Sequence, residues 1–196
     1  MSLAPWRSYL ARALQKNRSQ PHSRYFQLAT VQSDGYPANR TVVFRGFLED
    51  SNQLKIITDV RSEKIIQIHH QARGEICWYF TVTREQFRLA GELTLVDYNH
   101  PDSRFQAARH STWEQISDNA RSQFIWANPG EPKSTDTGNL PIGNSDIDKS
   151  KPLDNFCLLL LDPVKVDHLQ LRGDPQNRCL YILEHSGIWN TTEVNP

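Results

Sequence analysis

Charge of one sign is missing from this 196-residue chain: 22 Lys and Arg stand against 22 Asp and Glu, and the formal net charge is zero. Without a basic or acidic surplus there is no global electrostatic case for nucleic acid or an anionic membrane as a partner. Long apolar runs are missing too. The longest, Phe156 to Leu161, is six residues, far short of the roughly 20 that cross a bilayer as a helix. The N-terminal stretch has no apolar segment of signal-peptide length, because Arg7, Arg12, Lys16 and Arg18 interrupt it. Cysteine is scarce, and Cys77, Cys157 and Cys179 are odd in number, lack ligand spacing and fall within strand-like patterns. They read as free thiols of a reducing compartment, so a cytoplasmic protein without a metal site is expected. The length suits one domain with its own core, spanning 1–196.

The hydrophobic period changes along the chain. Trp6, Tyr9, Leu10, Ala13 and Leu14 recur at helical spacing, which predicts a helix over 5–17 with Pro5 in its first turn. From Tyr25 the period is two. Strands are expected at 25–31, 38–48, 54–58, 75–81, 86–97, 156–170, 177–184 and 188–192. Ser62 reads as the N-cap of a helix carrying Ile65, Ile66, Ile68 and His69. Two more helices are expected, from Pro101 through Arg109 and from about Thr112 to Ala127. Residues 128–152 hold four Pro and three Gly with few apolar side chains, the composition of a surface insertion. Antiparallel strands with short turns and a few helices predict a mainly β fold, a small barrel with peripheral helices.

Two cationic groups stand out. Arg40-Thr41-Val42-Val43-Phe44-Arg45 places guanidiniums at both ends of a β-branched run before Gly46, and Thr58-Asp59-Val60-Arg61-Ser62-Glu63-Lys64 follows one short strand later. Arginine presents a planar fork and lysine a compact cation, and both suit phosphate oxygens. A phosphate at the Ser62 helix start would also meet free backbone N–H groups. A phosphorylated small molecule is therefore the expected ligand. Strand parity puts Arg40 and Arg45 on opposite faces unless a bulge intervenes. The other candidates are weaker. His69 and His70 are adjacent on a helix and point about a hundred degrees apart, which does not suit one metal. Asn144, Asp146 and Asp148 lack the glycine and distal acid of a calcium loop.

The RTVVFRG run, the strand ending at Thr58, the SEK helix start, Glu85-Gln86 opening a long strand and Asn177-Arg178-Cys179-Leu180-Tyr181 together resemble the pyridoxamine 5′-phosphate oxidase family. The likeness runs over about 24–192 and is nearest to an oxidase-like, FMN-binding branch. It implies an FMN-binding split β-barrel, working as a homodimer with FMN at the subunit interface. Under the resemblance Arg40 meets the FMN phosphate, with Thr41, Val42, Val43, Phe44 and Ile57 beside the flavin, and Thr58 and Lys64 complete the phosphate cradle. Gln86 bonds an edge of the ring, and Arg178 reaches its pyrimidine side across the interface. Ser122 and Gln123 are partner-phosphate contacts, with Ser111 and Arg109 as rivals. No catalytic residue is assigned, because the flavin carries the redox chemistry.

This sequence departs from the family in its substrate half. Arg45 stands where the family has lysine, Asp174-Pro175-Gln176 replace an Arg-x-His pair, His168 replaces an aromatic, and Glu63 replaces an arginine. Glu63 is expected to turn outward or pair with Arg61. The implied function is an FMN-binding oxidoreductase acting on an unidentified small molecule. The alternatives are true pyridoxamine or pyridoxine 5′-phosphate oxidation and non-catalytic binding of flavin or pyridoxal phosphate. Trp113 and Trp126 are rivals for a place on the pocket wall.

Overall fold

The computed structural model describes residues 3–133 and 147–196; Leu140, Ile142, Asn144 and Asp146 of the expected insertion lie outside them. The elements are α1 (Trp6–Lys16), β1 (Tyr25–Val31), β2 (Pro37–Val43), β3 (Leu54–Asp59), α2 (Glu63–His70), β4 (Arg73–Phe80), β5 (Glu85–Val96), α3 (Ser103–Gln115), α4 (Asp118–Arg121), β6 (Phe156–Gln170), β7 (Asn177–Leu183) and β8 (Trp189–Val194). All eight strands join one antiparallel sheet in the order β2-β1-β4-β5-β6-β7-β8, with β3 also on β6.

The long strand β6 organises this sheet. One of its edges runs along β5, from Glu85 opposite Gln170 to Val96 opposite Leu158. Its other edge is divided: residues 156–161 pair with β3, and residues 165–170 pair with β7. Pro163, which has no N–H to donate, sits at the division. Opposite it the register shifts between Ala90 and Gly91. A side chain at Gly91 would collide with the Asp162 carbonyl oxygen, so the close backbone approach at the bend requires glycine there. Beyond β3, Arg45 N–H donates to Lys55 O and Lys55 N–H to Gly46 O, which brings the chain back towards β2. The result is a split barrel, with β7 and β8 branching outward.

Alternation fills the interior. Phe26 and Leu28 of β1, Ile76, Trp78 and Phe80 of β4, and Phe87 and Leu89 of β5 are fully buried, and α1 adds Trp6, Leu10 and Ala13. The apolar run of β6 is buried on both faces. Leu159 and Leu161 enter the barrel core, while Leu158 and Leu160 pack with Leu48, Val96 and Phe105 beneath α3. That is why the run shows no alternation. Phe156 joins Trp113 and Phe124 in a separate cluster, so Trp113 is packed as core.

Two predicted boundaries move. The expected strand 38–48 ends at Val43: Phe44 N–H still bonds Arg24 O in register with β1, but from Arg45 the chain bonds to Lys55 and crosses to β3 through Gly46, whose φ is +103°. The two expected helices of 101–127 break at Ile116 and Ser117, where Ser117 caps α4, and the chain then continues as a short 3-10 turn over Ser122–Ile125. A break near 110 is not seen, since α3 runs through to Gln115.

Candidate functional site

The end of β2, the end of β3 and the start of α2 meet at a cleft of about 410 Å³. Arg40, Arg45 and Lys64 all line it, together with Thr41, Val42 and Val43. The parity expectation therefore fails: the chain leaves the β2 ladder before Arg45, so Arg45 does not alternate with Arg40. Ile57, Thr58 and Gln123 also line the cleft. The exposed indole of Trp126 forms part of its rim, as one of the two tryptophan readings expected.

Lys64 Nζ donates to Thr58 Oγ1 at 3.0 Å and to Ser62 Oγ at 2.9 Å. Ser62 occupies the N-cap position of α2, but its hydroxyl donates to Asp59 O at 2.7 Å and makes no helix cap. The first N–H groups of α2 thus have no side-chain acceptor at the cap. Arg61 is the hub of the opposite wall. It pairs with Asp59 at 2.7 Å and donates to the carbonyls of Phe124 and Trp126 and to Asn128 Oδ1. Asn155 Nδ2 joins Asp59 to Phe124 O. This network holds the 3-10 segment, and with it Gln123 and Trp126, against the cleft.

The charge balance of the cleft is its main chemical feature. Among the described residues, Arg40, Arg45 and Lys64 make no ion pair with a carboxylate. Asp59 is spent on Arg61. Of the two placements expected for Glu63, it turns outward and does not pair with Arg61; it accepts from Gln67 Nε2 at 3.0 Å. Arg45 Nε is buried without a hydrogen-bond partner. Burial, and next the charge of Arg40, holds the Lys64 ammonium below its usual range. Burial likewise lowers Arg40, and burial followed by Arg24 lowers Arg45. Three partly desolvated cations, of which Arg40 and Lys64 repel, would be relieved by an anion in the cleft. This donor set fits the phosphate of a phosphorylated cofactor.

Five predicted residues lie elsewhere in the chain. Phe44 turns its ring into the core against Trp78, 4.9 Å between centroids. Ser122 donates its hydroxyl to Asn119 O, and Gln86 sits on β5 as the acceptor for Cys77 Sγ. His168 and Arg178 line a second cavity of about 320 Å³ beside Tyr9 and Tyr181. His168 is buried, stacked on Phe87 at 4.0 Å, with Nε2 2.8 Å from Glu85 Oε2. Arg178 grips Asp167 with Nε and Nη2, at 3.0 and 2.7 Å. Within one chain the two groups of predicted residues are therefore separate.

Sequence reasoning overlooked Thr30 and Gln67, both of which contact Arg40. The signal was present: each is a polar residue on the inward face of its element, and a buried polar group needs partners.

The comparisons agree with this geometry. The profile of the pyridoxamine 5′-phosphate oxidase, FMN-binding domain matches residues 3–97. A protein of Arabidopsis thaliana called pyridoxine/pyridoxamine 5′-phosphate oxidase 2 is 38% identical over 197 residues, covering 99% of this chain and 98% of its own length. A crystal structure of a pyridoxamine 5′-phosphate oxidase-related, FMN binding protein from Nostoc punctiforme PCC 73102 is 54% identical over 100% of both chains, with a TM-score of 0.93. PhzG from Burkholderia lata 383 shares the fold at 16% identity, with a TM-score of 0.75 over 100% of this chain and 98% of its own. With a full-length relative above 30% identity and the cationic cleft in place, this chain belongs to the pyridoxamine 5′-phosphate oxidase family of FMN-binding split barrels.

Proposed function

We propose that the chain is a single-domain cytoplasmic flavoprotein that binds FMN in the cationic cleft, and that it is an oxidoreductase acting on a small molecule still to be identified. The observation that carries this reading is the trio Arg40, Arg45 and Lys64, gathered on one cleft without a carboxylate partner. In this reading the phosphate lies against Arg40, Lys64 and Thr58, and the backbone at Thr41 to Phe44 and Ile57 passes beside the ring system. Bound FMN would supply the hydride and electron chemistry that no protein side chain offers. The chain's own part is to hold, orient and electrostatically bias that group.

The working unit is proposed to be a homodimer with FMN at the subunit interface. His168, Arg178, Gln86 and Ser122 would complete each site from the other subunit, in keeping with His168 and Arg178 standing at a second cavity of the same chain, whereas Gln123, expected to reach across, lines the cleft of its own chain. In keeping with a water-exposed assembly, no described helix is long and apolar enough to cross a membrane.

The test is direct. Purified protein should take up one FMN per subunit, show flavin absorbance, and bind riboflavin distinctly more weakly, since riboflavin lacks the phosphate. Protein that ignores added FMN would sink the reading. Anaerobic mixing of the flavin-loaded protein with pyridoxamine 5′-phosphate then separates substrates: an unchanged spectrum points to another small molecule, and bleaching to the oxidase activity.

A further inference from the structure

Arg40 is the most heavily hydrogen-bonded of the three cations of the cleft, and its partners are all supplied by the fold. Its Nη1 donates to Leu28 O at 3.2 Å and to Thr30 Oγ1 at 2.6 Å, and its Nη2 donates to Gln67 Oε1 at 2.7 Å. Thr30 Oγ1 in turn donates to the same Gln67 oxygen at 2.6 Å. Gln67 Nε2 donates to Glu63 Oε1. Thr30 and Gln67 are 2% and 3% exposed, so water does not replace these bonds.

The chemistry of this relay allows one arrangement. An arginine N–H can only donate, so both Thr30 Oγ1 and Gln67 Oε1 must accept from it. The single threonine proton is then directed to Gln67 Oε1. A carboxylate only accepts, so Glu63 must face the amide nitrogen. The carboxylate thereby fixes which end of the Gln67 amide meets the guanidinium. Of the five N–H bonds on Arg40, both on Nη1 and one on Nη2 are used. The two left over, Nε–H and the remaining Nη2–H, lie parallel on one edge of the planar group, the fork that grips two oxygens of one phosphate.

We propose that Gln67, locked by Thr30 and by Glu63, is the positioning residue that presents the Arg40 fork to the ligand's phosphate. This rests on the FMN reading above. It gives a role to Glu63, which stands where the family has an arginine: an acidic residue one step removed from the ligand, which orients the amide that orients the cation. Pre-organisation of this kind strengthens phosphate binding by removing the need to order a flexible side chain when the ligand arrives.

The experiment is an equilibrium titration of full-length protein with FMN and, separately, with riboflavin, read by quenching of flavin fluorescence. Gln67→Met keeps length and apolar packing but cannot accept from Arg40. It should weaken FMN about three- to tenfold, less than the loss of a direct charge-assisted contact because the Arg40 charge remains, and leave riboflavin unchanged. In an Arg40→Met background the same change should have no further effect on FMN, since a relay that works only through Arg40 has nothing left to position. Thr30→Val, an isostere suited to a strand, should reproduce the FMN loss, and Thr30→Ser, which keeps the hydroxyl, should restore it. The proposal is overturned if Gln67→Met weakens FMN and riboflavin equally, if its effect persists without Arg40, or if FMN binding stays at the wild-type level. Wild-type protein that does not distinguish FMN from riboflavin would instead overturn the phosphate site itself.

Discussion

The cationic cleft and the cavity beside α1 are similar in size, about 410 and 320 Å³, and opposite in how their charges are balanced. At the second cavity His168 and Arg178 are each met by a carboxylate of the fold. His168 faces Glu85, and Arg178 faces Asp167, which also lies 3.8 Å from Arg88. At the cleft, Arg40, Arg45 and Lys64 sit together with hydroxyls and carbonyls as their only side-chain partners, and Arg45 Nε has none. Charges paired within the chain contribute to folding. Charges left over are held ready for a ligand, at some expense in stability.

The two regions should therefore fail differently. The largest effect on folding is expected at the second cavity, where Glu85→Ala removes a buried charge-assisted partner of His168. A loss of about 2–3 kcal/mol in urea denaturation is expected; a loss below about 0.5 kcal/mol, the range of ordinary surface changes, would erase the contrast. At the cleft the corresponding loss is in binding. Arg40→Ala should weaken FMN at least about tenfold, since a hydrogen bond to a charged group contributes about 1.5–3 kcal/mol, and unchanged affinity would move the phosphate elsewhere.

Arg45→Leu sharpens the contrast further. By removing a buried N–H without a partner it should leave the ligand-free protein as stable as before, or more stable by up to about 1 kcal/mol, while FMN binds several-fold more weakly. A clear loss of stability would mean that Arg45 has a partner in the folded chain.

The pH responses should also be opposite. Burial alone would raise Glu85, but the hydrogen bonds from His168 and Thr83 outweigh it and hold the carboxyl below its usual range. Its contribution is then complete above the unfolded glutamate pKa and is lost as pH falls through the lower folded value. Glu85→Gln should flatten that acid limb of a stability profile. Lys64 has a lowered folded pKa, so its penalty applies below that value and vanishes as pH rises towards the unfolded one. FMN affinity should fall over the same alkaline range, and Lys64→Met should remove that part of the pH dependence.

The smallest effect on folding is expected from Arg178→Ala, because Arg178 is partly exposed and the buried Asp167 keeps Arg88 3.8 Å away. The urea midpoint should barely move. A loss of FMN affinity in that variant would then identify Arg178 as a ligand contact across the interface, and no loss would confine it to Asp167.

Much of this was legible in the sequence because the relevant patterns are local. Alternation at Tyr25–Val31 and the six-residue apolar run of β6 identify strands from their immediate neighbours, and the Ser62-Glu63-Lys64 helix start lies within one turn. The end of β2 at Val43 was not legible, since it depends on Arg45 and Gly46 hydrogen-bonding to Lys55 of the next strand. Which of the two placements expected for Glu63 would hold was not legible for a related reason: Asp59 already occupies Arg61, which leaves Glu63 turned outward and free for Gln67.

The order of residues determined by itself the barrel's strands, the doubly buried run that anchors it, and the presence of three cations near a strand end and a helix start. Tertiary structure alone decided that Arg45 would share a cleft with Arg40, that Arg178 would be engaged by Asp167, and that Gln67 would reach Arg40 from 27 residues away. Period and propensity are set by adjacent side chains. Which donor meets which acceptor is set by how distant strands and helices pack, and the free N–H groups that make this site exist only once that pairing is complete.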